Sequence, residues 1–465
     1  MQEEEYSMSL RGCEGMRGMV WGGVSHTTKR SGSAAQLKEG VQMSSPLARG
    51  LTIVILAASM VFALVPCAQA ETIVFQTFLK QEGTSPREVA LAQIVKKFTE
   101  TTGIQVKYQI LPWVENDTQL MLSVQAGNPP DVSYVRDRNF AKHLQANSLL
   151  PLDDFIKKDL TDKDKKDFLL WDTIGTQNGK KYTFPTSLVV FTLMIRKDLL
   201  QKAGLNAPKT WDDFIKVAKA LNSPTVSGFM FGGSQATPNQ FDIMQMVVEG
   251  RGGKVLDTNG KAVFDSQAGV DSFKFLKSLI YDSKVMPAAA LTAKYDDVTD
   301  IFATGRTAMI IEGSHRYGQI AQKLKPENVL LAKIPGVNAT KYSPAGVNSW
   351  TLGIPRNAKN AEAAWKFIKF FASAESNLQY SKVSGEVPIR KSVIDNEYYK
   401  SGEGAVVRWY VDYVNENSTL MVAPVAFQEL VDIAAKATQE ILSKADSDVD
   451  EILKNAAKNY NALGK

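Results

Sequence analysis

A chain of 465 residues with 44% hydrophobic side chains can bury a large core, and at this length two or more domains are expected. Its 54 Lys/Arg against 49 Asp/Glu leave a formal charge of +5 with no clustered basic stripe, which argues against a nucleic-acid surface. Both cysteines, Cys13 and Cys67, precede residue 71, and the chain beyond holds only His143 and His315. Disulfide, thiol-nucleophile and His-rich metal chemistry therefore have no residues to use there.

The first 70 residues read as an export address behind an extra leader. From Met43, MSSPLARG supplies a short n-region with Arg49, Leu51 to Val65 is an uncharged apolar core, and Pro66-Cys67-Ala68-Gln69-Ala70 ends in an A-x-A cleavage pattern. The apolar core is shorter than the about 20 residues of a membrane-spanning helix. Cleavage after Ala70 and release into the periplasm are expected. Residues 1–42 are polar, Gly-rich and aperiodic, and are expected to be a non-native extension upstream of a start at Met43. Pro66 stands where a lipoprotein signal wants a small residue, which argues against a lipid anchor on Cys67.

Beyond Ala70 strands and helices alternate. Thr72 to Phe75 reads as a β-branched strand, Leu79 to Thr84 as a polar loop, and Pro86 to Thr99 as a helix with Leu91, Ile94, Val95 and Phe98 inward, stopped by Gly103. Ile104 to Leu111 is the next strand, and its end delivers Trp113. Loops at the carboxyl ends of strands in an open parallel sheet line the ligand crevice, so Lys80, Glu82 and Trp113 are candidates by position; the plain alternative for each is a solvated loop residue. Ala126-Gly127-Asn128-Pro129-Pro130-Asp131-Val132 is a helix stop, a turn and a strand start. His143 belongs to a helix flank without a ligand role, and Lys157 to Lys166 to a solvated helix face.

The stretch Gly179 to Asn222 shows the organisation best. A turn at Asn178-Gly179 leads to a Pro-initiated apolar run, Leu188 to Ile195, suited to a buried strand. Arg196-Lys197-Asp198 opens a short helix that Gly204 ends. Thr210 is placed to cap a second helix with Trp211, Phe214, Ile215 and Ala218 on one face.

This order of a Tyr-x-x-Pro, an apolar strand, a Lys-Asp-Leu-Leu helix, an Ala-Gly-Leu turn and a Pro-x-Thr-Trp-Asp-Asp helix resembles the extracellular solute-binding proteins, family 1, of ABC importers, the group that includes the maltose-binding protein. Ala126 to Val132 is similar to that family's Ala-Gly-x-x-Pro-Asp-Val signature. The resemblance implies an α/β, two-lobed periplasmic-binding-protein fold of class II type, with several interlobe crossings and a cleft between lobes. It places Arg136, Asp137 and Arg138 where relatives present polar groups to sugar hydroxyls, a task that charge-assisted hydrogen bonds suit; the plain alternative is a surface ion pair.

Gly228 to Gly233 reads as a strand and turn, Gln235 to Asn239 as a loop able to reach the cleft, and the helix with Phe241, Met244, Met246 and Val247 as core filler. Gly253-Lys254 lacks phosphate-loop spacing. Ile301 to Gln322 is similar to the family pattern F-x-x-G-x-x-A-M-x-x-x-G, but the Trp expected soon after is missing and His315 and Arg316 stand in its neighbourhood. That departure puts an aromatic stacking floor in doubt and favours a more polar or anionic ligand. Ile334-Pro335-Gly336 starts a return crossing, Tyr342 to Ile354 resembles the family's strand back into the first lobe, and Gly385 to Arg390 resembles a segment that crosses a third time. Asp446, Asp448 and Asp450 lack the glycine and terminal glutamate of a calcium loop and read as a helix cap.

On this resemblance lobe 1 spans 71–187 and 337–384, and lobe 2 spans 188–336 and 385–465. The implied function is the substrate-binding component of an ABC importer, closing on a sugar, oligosaccharide, polyol or sugar phosphate and delivering it as a monomer to transmembrane permease subunits, without cofactor, metal, nucleic acid or catalysis. Trp113, Trp350 and Trp409 would cover apolar ring faces. Asp137, Arg138, Asn348 and Arg390 would take polar groups, with Lys80, Glu82, Thr186, His315 and Arg316 completing the set. A hydrolase is the rival from another class, yet no G-x-S-x-G and no nucleophile beside a base occur. A ligand-binding co-receptor for a sensor is the other rival, and Val189 and Ile195 depart from the maltose-type pattern.

Overall fold

In the computed structural model the described residues are 71–234 and 238–463. The expected leader and cleavage segments and residues 235–237 of the expected loop lie outside them. The strands are β1 (Thr72–Thr77), β2 (Gln105–Ile110), β3 (Val132–Arg136), β4 (Thr176–Gln177), β5 (Lys180–Lys181), β6 (Thr183–Arg196), β7 (Met309–Gly313), β8 (Val329–Ala332), β9 (Ala345–Gly353) and β10 (Ser418–Leu420). β4 and β5 form a small hairpin. The others form one sheet in the order β2-β1-β3-β9-β6-β7, with β10 beside β9 and β8 beside β6.

β1 pairs parallel to β2 and β3, the arrangement that strand–helix–strand crossovers produce. β9 and β6 then run antiparallel within this sheet. The Pro86–Thr102 helix that joins β1 to β2 begins at a capping box, where Ser85 Oγ accepts from the Glu88 amide and the Glu88 carboxylate accepts from the Ser85 amide. The Trp211–Leu221 helix is capped by Thr210, as expected, and buries Trp211, Phe214 and Ala218, while Ile215 is only partly covered.

β6 organises the molecule. It is longer than the apolar run suggested, because Thr183 to Ser187 are also buried against β9. Its first half pairs with β9, and from Phe191 onward it pairs with β7 and β8. Leu188 and Val190 enter one core, with Phe75, Leu91, Phe98, Trp365 and Phe367. Val189, Phe191 and Leu193 enter a second core, with Phe214, Met246, Phe273 and Leu430. One strand thus threads two cores by its alternation of faces and its length.

Two expectations are corrected by the packing. Val387, Ile389, Ile394, Tyr410 and Val414 lie in the first core, so residues from 385 to about 414 do not belong to the second lobe; the third crossing comes at β10, after which Met421, Phe427 and Leu430 join the second core. Gly228 to Gly233 form no strand. The amides of Phe229 and Met230 go singly to Val285 O and Met309 O, with no ladder between them.

Candidate functional site

A cavity of about 230 Å³ lies between the two cores. The carboxyl ends of successive strands feed it: Phe78 and Leu79 follow β1, Trp113 follows β2, Asp137 and Arg138 follow β3, and His315 and Arg316 follow β7. Asn348, Ser349 and Trp350 come from β9, and Tyr295 from the start of the Tyr295–Ala303 helix. The rims nearly touch. A Cβ added at Gly318 would stand 3.9 Å from Pro86 Cγ at the head of the first lobe's helix.

The lining combines rings and guanidinium groups. Trp350 lies 4.2 Å from Phe78 with the ring planes tilted by 41° and meets Tyr134 edge-on. Arg136 lies 5.2 Å over the Trp113 ring, and its Nε donates to Asp117 Oδ2 at 2.9 Å. Asp117 also accepts from Asn139 Nδ2 at 2.7 Å and sits 3.0 Å from His143 Nε2; these partners outweigh its burial and hold its carboxyl well below the usual range. His143 is thus buried behind the site, with its other ring nitrogen 2.7 Å from Ser148 Oγ.

Arg138 reaches across the cleft. Its Nη2 is 2.6 Å from Asp242 Oδ2, its guanidinium lies 5.9 Å from the Phe427 ring, and Asp242 is fully buried on the Pro238–Gly250 helix of the second core. Burial pushes Asp242 up to about 7 and Asp137 up to about 6, opposed in both by the Arg138 charge. Asp137 Oδ2 accepts from the Ser349 amide at 2.5 Å, which ties the turn after β3 to β9.

On the second-lobe wall His315 stacks on Tyr295 with planes 16° apart, and Arg316 lies 5.3 Å over the same ring while pairing with Asp296. Burial, with the charges of Arg316, Arg87 and Arg138, pushes His315 well below its ordinary value. It is a neutral ring here. The Trp missing after the F-x-x-G-x-x-A-M pattern is thus replaced by an imidazole with a guanidinium beside it, over a tyrosine.

Seven of the sequence candidates, Trp113, Asp137, Arg138, His315, Arg316, Asn348 and Trp350, line this cavity together. The other five do not. Lys80 and Glu82 are exposed in the loop after β1. Thr186 is buried beside the lining, its Oγ1 donating to Trp350 O at 2.9 Å. Arg390 is a staple of the first core, donating from Nε to Ala372 O at 2.6 Å, pairing with Asp167 at 3.0 Å and lying 4.1 Å over the Phe168 ring. Trp409 packs on Tyr410 and Tyr413, away from the cavity. Sequence reasoning missed Arg87, which pairs with buried Glu386 at 2.5 Å, and Asp242 and Tyr295. For Asp242 a signal existed: a lone carboxylate inside Phe241-Asp242-Ile243-Met244.

Residues 83–378 match the family model described as bacterial extracellular solute-binding protein, and the chain belongs to that family. It is 25% identical over 378 residues to a protein of Brucella abortus (strain 2308) named for binding alone, a match that covers 80% of this chain and 89% of that one. It is 24% identical to the arabinooligosaccharide-binding protein of Bacillus subtilis (strain 168), covering 65% of this chain and 72% of the other. Maltose-bound MalE3 of T. maritima superposes with a TM-score of 0.75 at 24% identity, covering 85% of this chain and all of that one. The fold is therefore the two-lobed binding-protein fold, and the family's members bind solutes outside the cytoplasm.

Proposed function

We propose that the protein is the substrate-binding component of an ABC importer, that it takes a sugar or related polyol between its lobes, and that it presents the closed form to transmembrane permease subunits. The observation that carries this reading is the 230 Å³ cavity, walled by Trp113, Asp137, Asn348 and Trp350 on one side and by Tyr295, His315 and Arg316 on the other. Aromatic faces beside directional polar groups suit a polyhydroxylated ring. The carbohydrate named for the Bacillus relative and the maltose in the T. maritima structure support the same class.

On this proposal the first lobe comprises about 71–188 and 346–417, the second about 191–334 and 421–463, and the stretches between them are the crossings. The seven cavity-lining candidates are the ligand-binding residues. Export with cleavage after Ala70, a periplasmic location, a monomeric state and the absence of catalysis belong to the same proposal. Calorimetric titration of the purified protein with pentoses, hexoses, short oligosaccharides and alditols tests it, with product analysis of the same mixtures. Saturable binding without turnover is expected; hydrolysis of a bound glycoside would favour an enzyme instead.

A further inference from the structure

Among the described residues four arginines, Arg87, Arg136, Arg138 and Arg316, line the cavity, and Asp137 is the one carboxylate of that lining. Each guanidinium is held by a ring and a carboxylate. Phe78 and Glu386 hold Arg87, Trp113 and Asp117 hold Arg136, Phe427 and Asp242 hold Arg138, and Tyr295 and Asp296 hold Arg316. Donors remain over. Arg136 Nη1, Arg138 Nη1, Arg316 Nε and Asn348 Nδ2 are buried without a partner. Beside them Asp242 Oδ1, Glu386 Oε1 and His315 Nδ1 are also buried without a hydrogen-bond partner.

A ligand completing this set has to bring acceptors. Sugar hydroxyls donate as well as accept, and Asp137 and His315 can take their protons, but four guanidinium groups outnumber those acceptors. A carboxylate or phosphate brings oxygens that only accept and that match the planar fork of a guanidinium. The volume limits the rest of the molecule. At about 230 Å³ the cavity lies below the range of about 300–1,000 Å³ usual for larger ligands.

We infer that the cleft takes a monosaccharide-sized solute bearing an anionic oxygen group, a sugar acid or sugar phosphate, with its ring against Trp113 and Trp350 and its anion on Arg136, Arg138 and Arg316. This rests on the carbohydrate-binding reading above. The test is calorimetric titration of the purified protein at neutral pH with glucuronate, galacturonate, a hexose phosphate, inorganic phosphate, glucose, galactose and mannitol. A sugar acid or the hexose phosphate is expected to bind at least about tenfold tighter than the neutral compounds, and which of the two binds identifies the anion. Arg316→Gln leaves the Arg138–Asp242 pair in place and is expected to weaken the anionic compound about tenfold; unchanged affinity for that compound would overturn the placement of its anion on Arg316. Neutral hexose or mannitol binding as tightly as the anionic compounds overturns the inference and leaves carbohydrate binding standing. Inorganic phosphate binding as tightly as the hexose phosphate overturns the sugar part, and binding by no compound overturns both readings.

Discussion

Glu312 is buried at the end of β7, where Thr299 Oγ1 and the Gly313 amide each donate to its carboxyl at 2.7 Å and the Tyr295 hydroxyl also donates. Burial still pushes it up to about 8. The unfolded chain releases this proton near the ordinary value of about 4.3, so between that pH and about 8 the folded state holds a proton the unfolded state has lost. This group's contribution to stability is complete below the ordinary value and is lost as pH rises toward 8. Glu312→Gln is expected to flatten the fall in stability over that window, measured by urea denaturation at a series of pH values; an unchanged slope would contradict the neutral carboxyl. In the cavity lining, Trp113→Ala removes a half-buried ring that supports Arg136. It is expected to weaken ligand binding about tenfold, the upper end of an aromatic contact's worth, with little change in Tm. Equal affinity would remove Trp113 from the site. Single residues were the least legible in the sequence. Arg390 and Arg138 look alike there, yet one closes on Asp167 within the first core and the other reaches Asp242 in the second, a difference set by partners more than 100 positions away.

Elements were more legible where a local physical signal marks them. The Thr210 cap, the apolar run in β6 and the Asp448 cap of the Val449–Asn461 helix follow from residue types at fixed offsets, and the structure shows each. β10 carries no such signal. Its three residues, Ser418 to Leu420, become a strand only because β9 offers an edge, so the local pattern points to Gly385 to Arg390 while the chain crosses at β10. Gly228 to Gly233 differs for the converse reason: its apolar residues are buried beside β7, but only single hydrogen bonds such as Met230 N to Met309 O reach that strand and no ladder forms. The crossing that begins at Ile334 is tight: a Cβ at Gly336 would lie 1.7 Å from Lys341 O, a backbone atom that cannot rotate away. Gly336→Ala is therefore expected to cost about 1–3 kcal/mol through forced backbone displacement, seen as a lower denaturation midpoint. A midpoint equal to wild type would show that the turn relaxes freely.

The two cores are joined by β6, by the stretch into β9 and by the stretch into β10, and Arg138–Asp242 bridges them through space. Several parallel connections permit a hinge while keeping the lobes in register. Breaking the bridge leaves a buried charge without its partner, so Asp242→Ala is expected to destabilise the chain by about 3 kcal/mol and to shift ligand-free molecules toward the open form; wild-type stability would show that water already serves Arg138. Solute need only prefer the closed arrangement for closure to follow binding. The chain beyond residue 70 has no cysteine, so Glu82→Cys and Lys323→Cys, exposed on opposite rims, place two spin labels selectively. Their dipolar distance distribution, recorded without and with the tightest-binding solute of the titrations, tests the account most directly. Saturating solute is expected to collapse a broad or longer distribution to a single shorter distance; the same distribution in both samples would contradict a cleft that closes on its ligand.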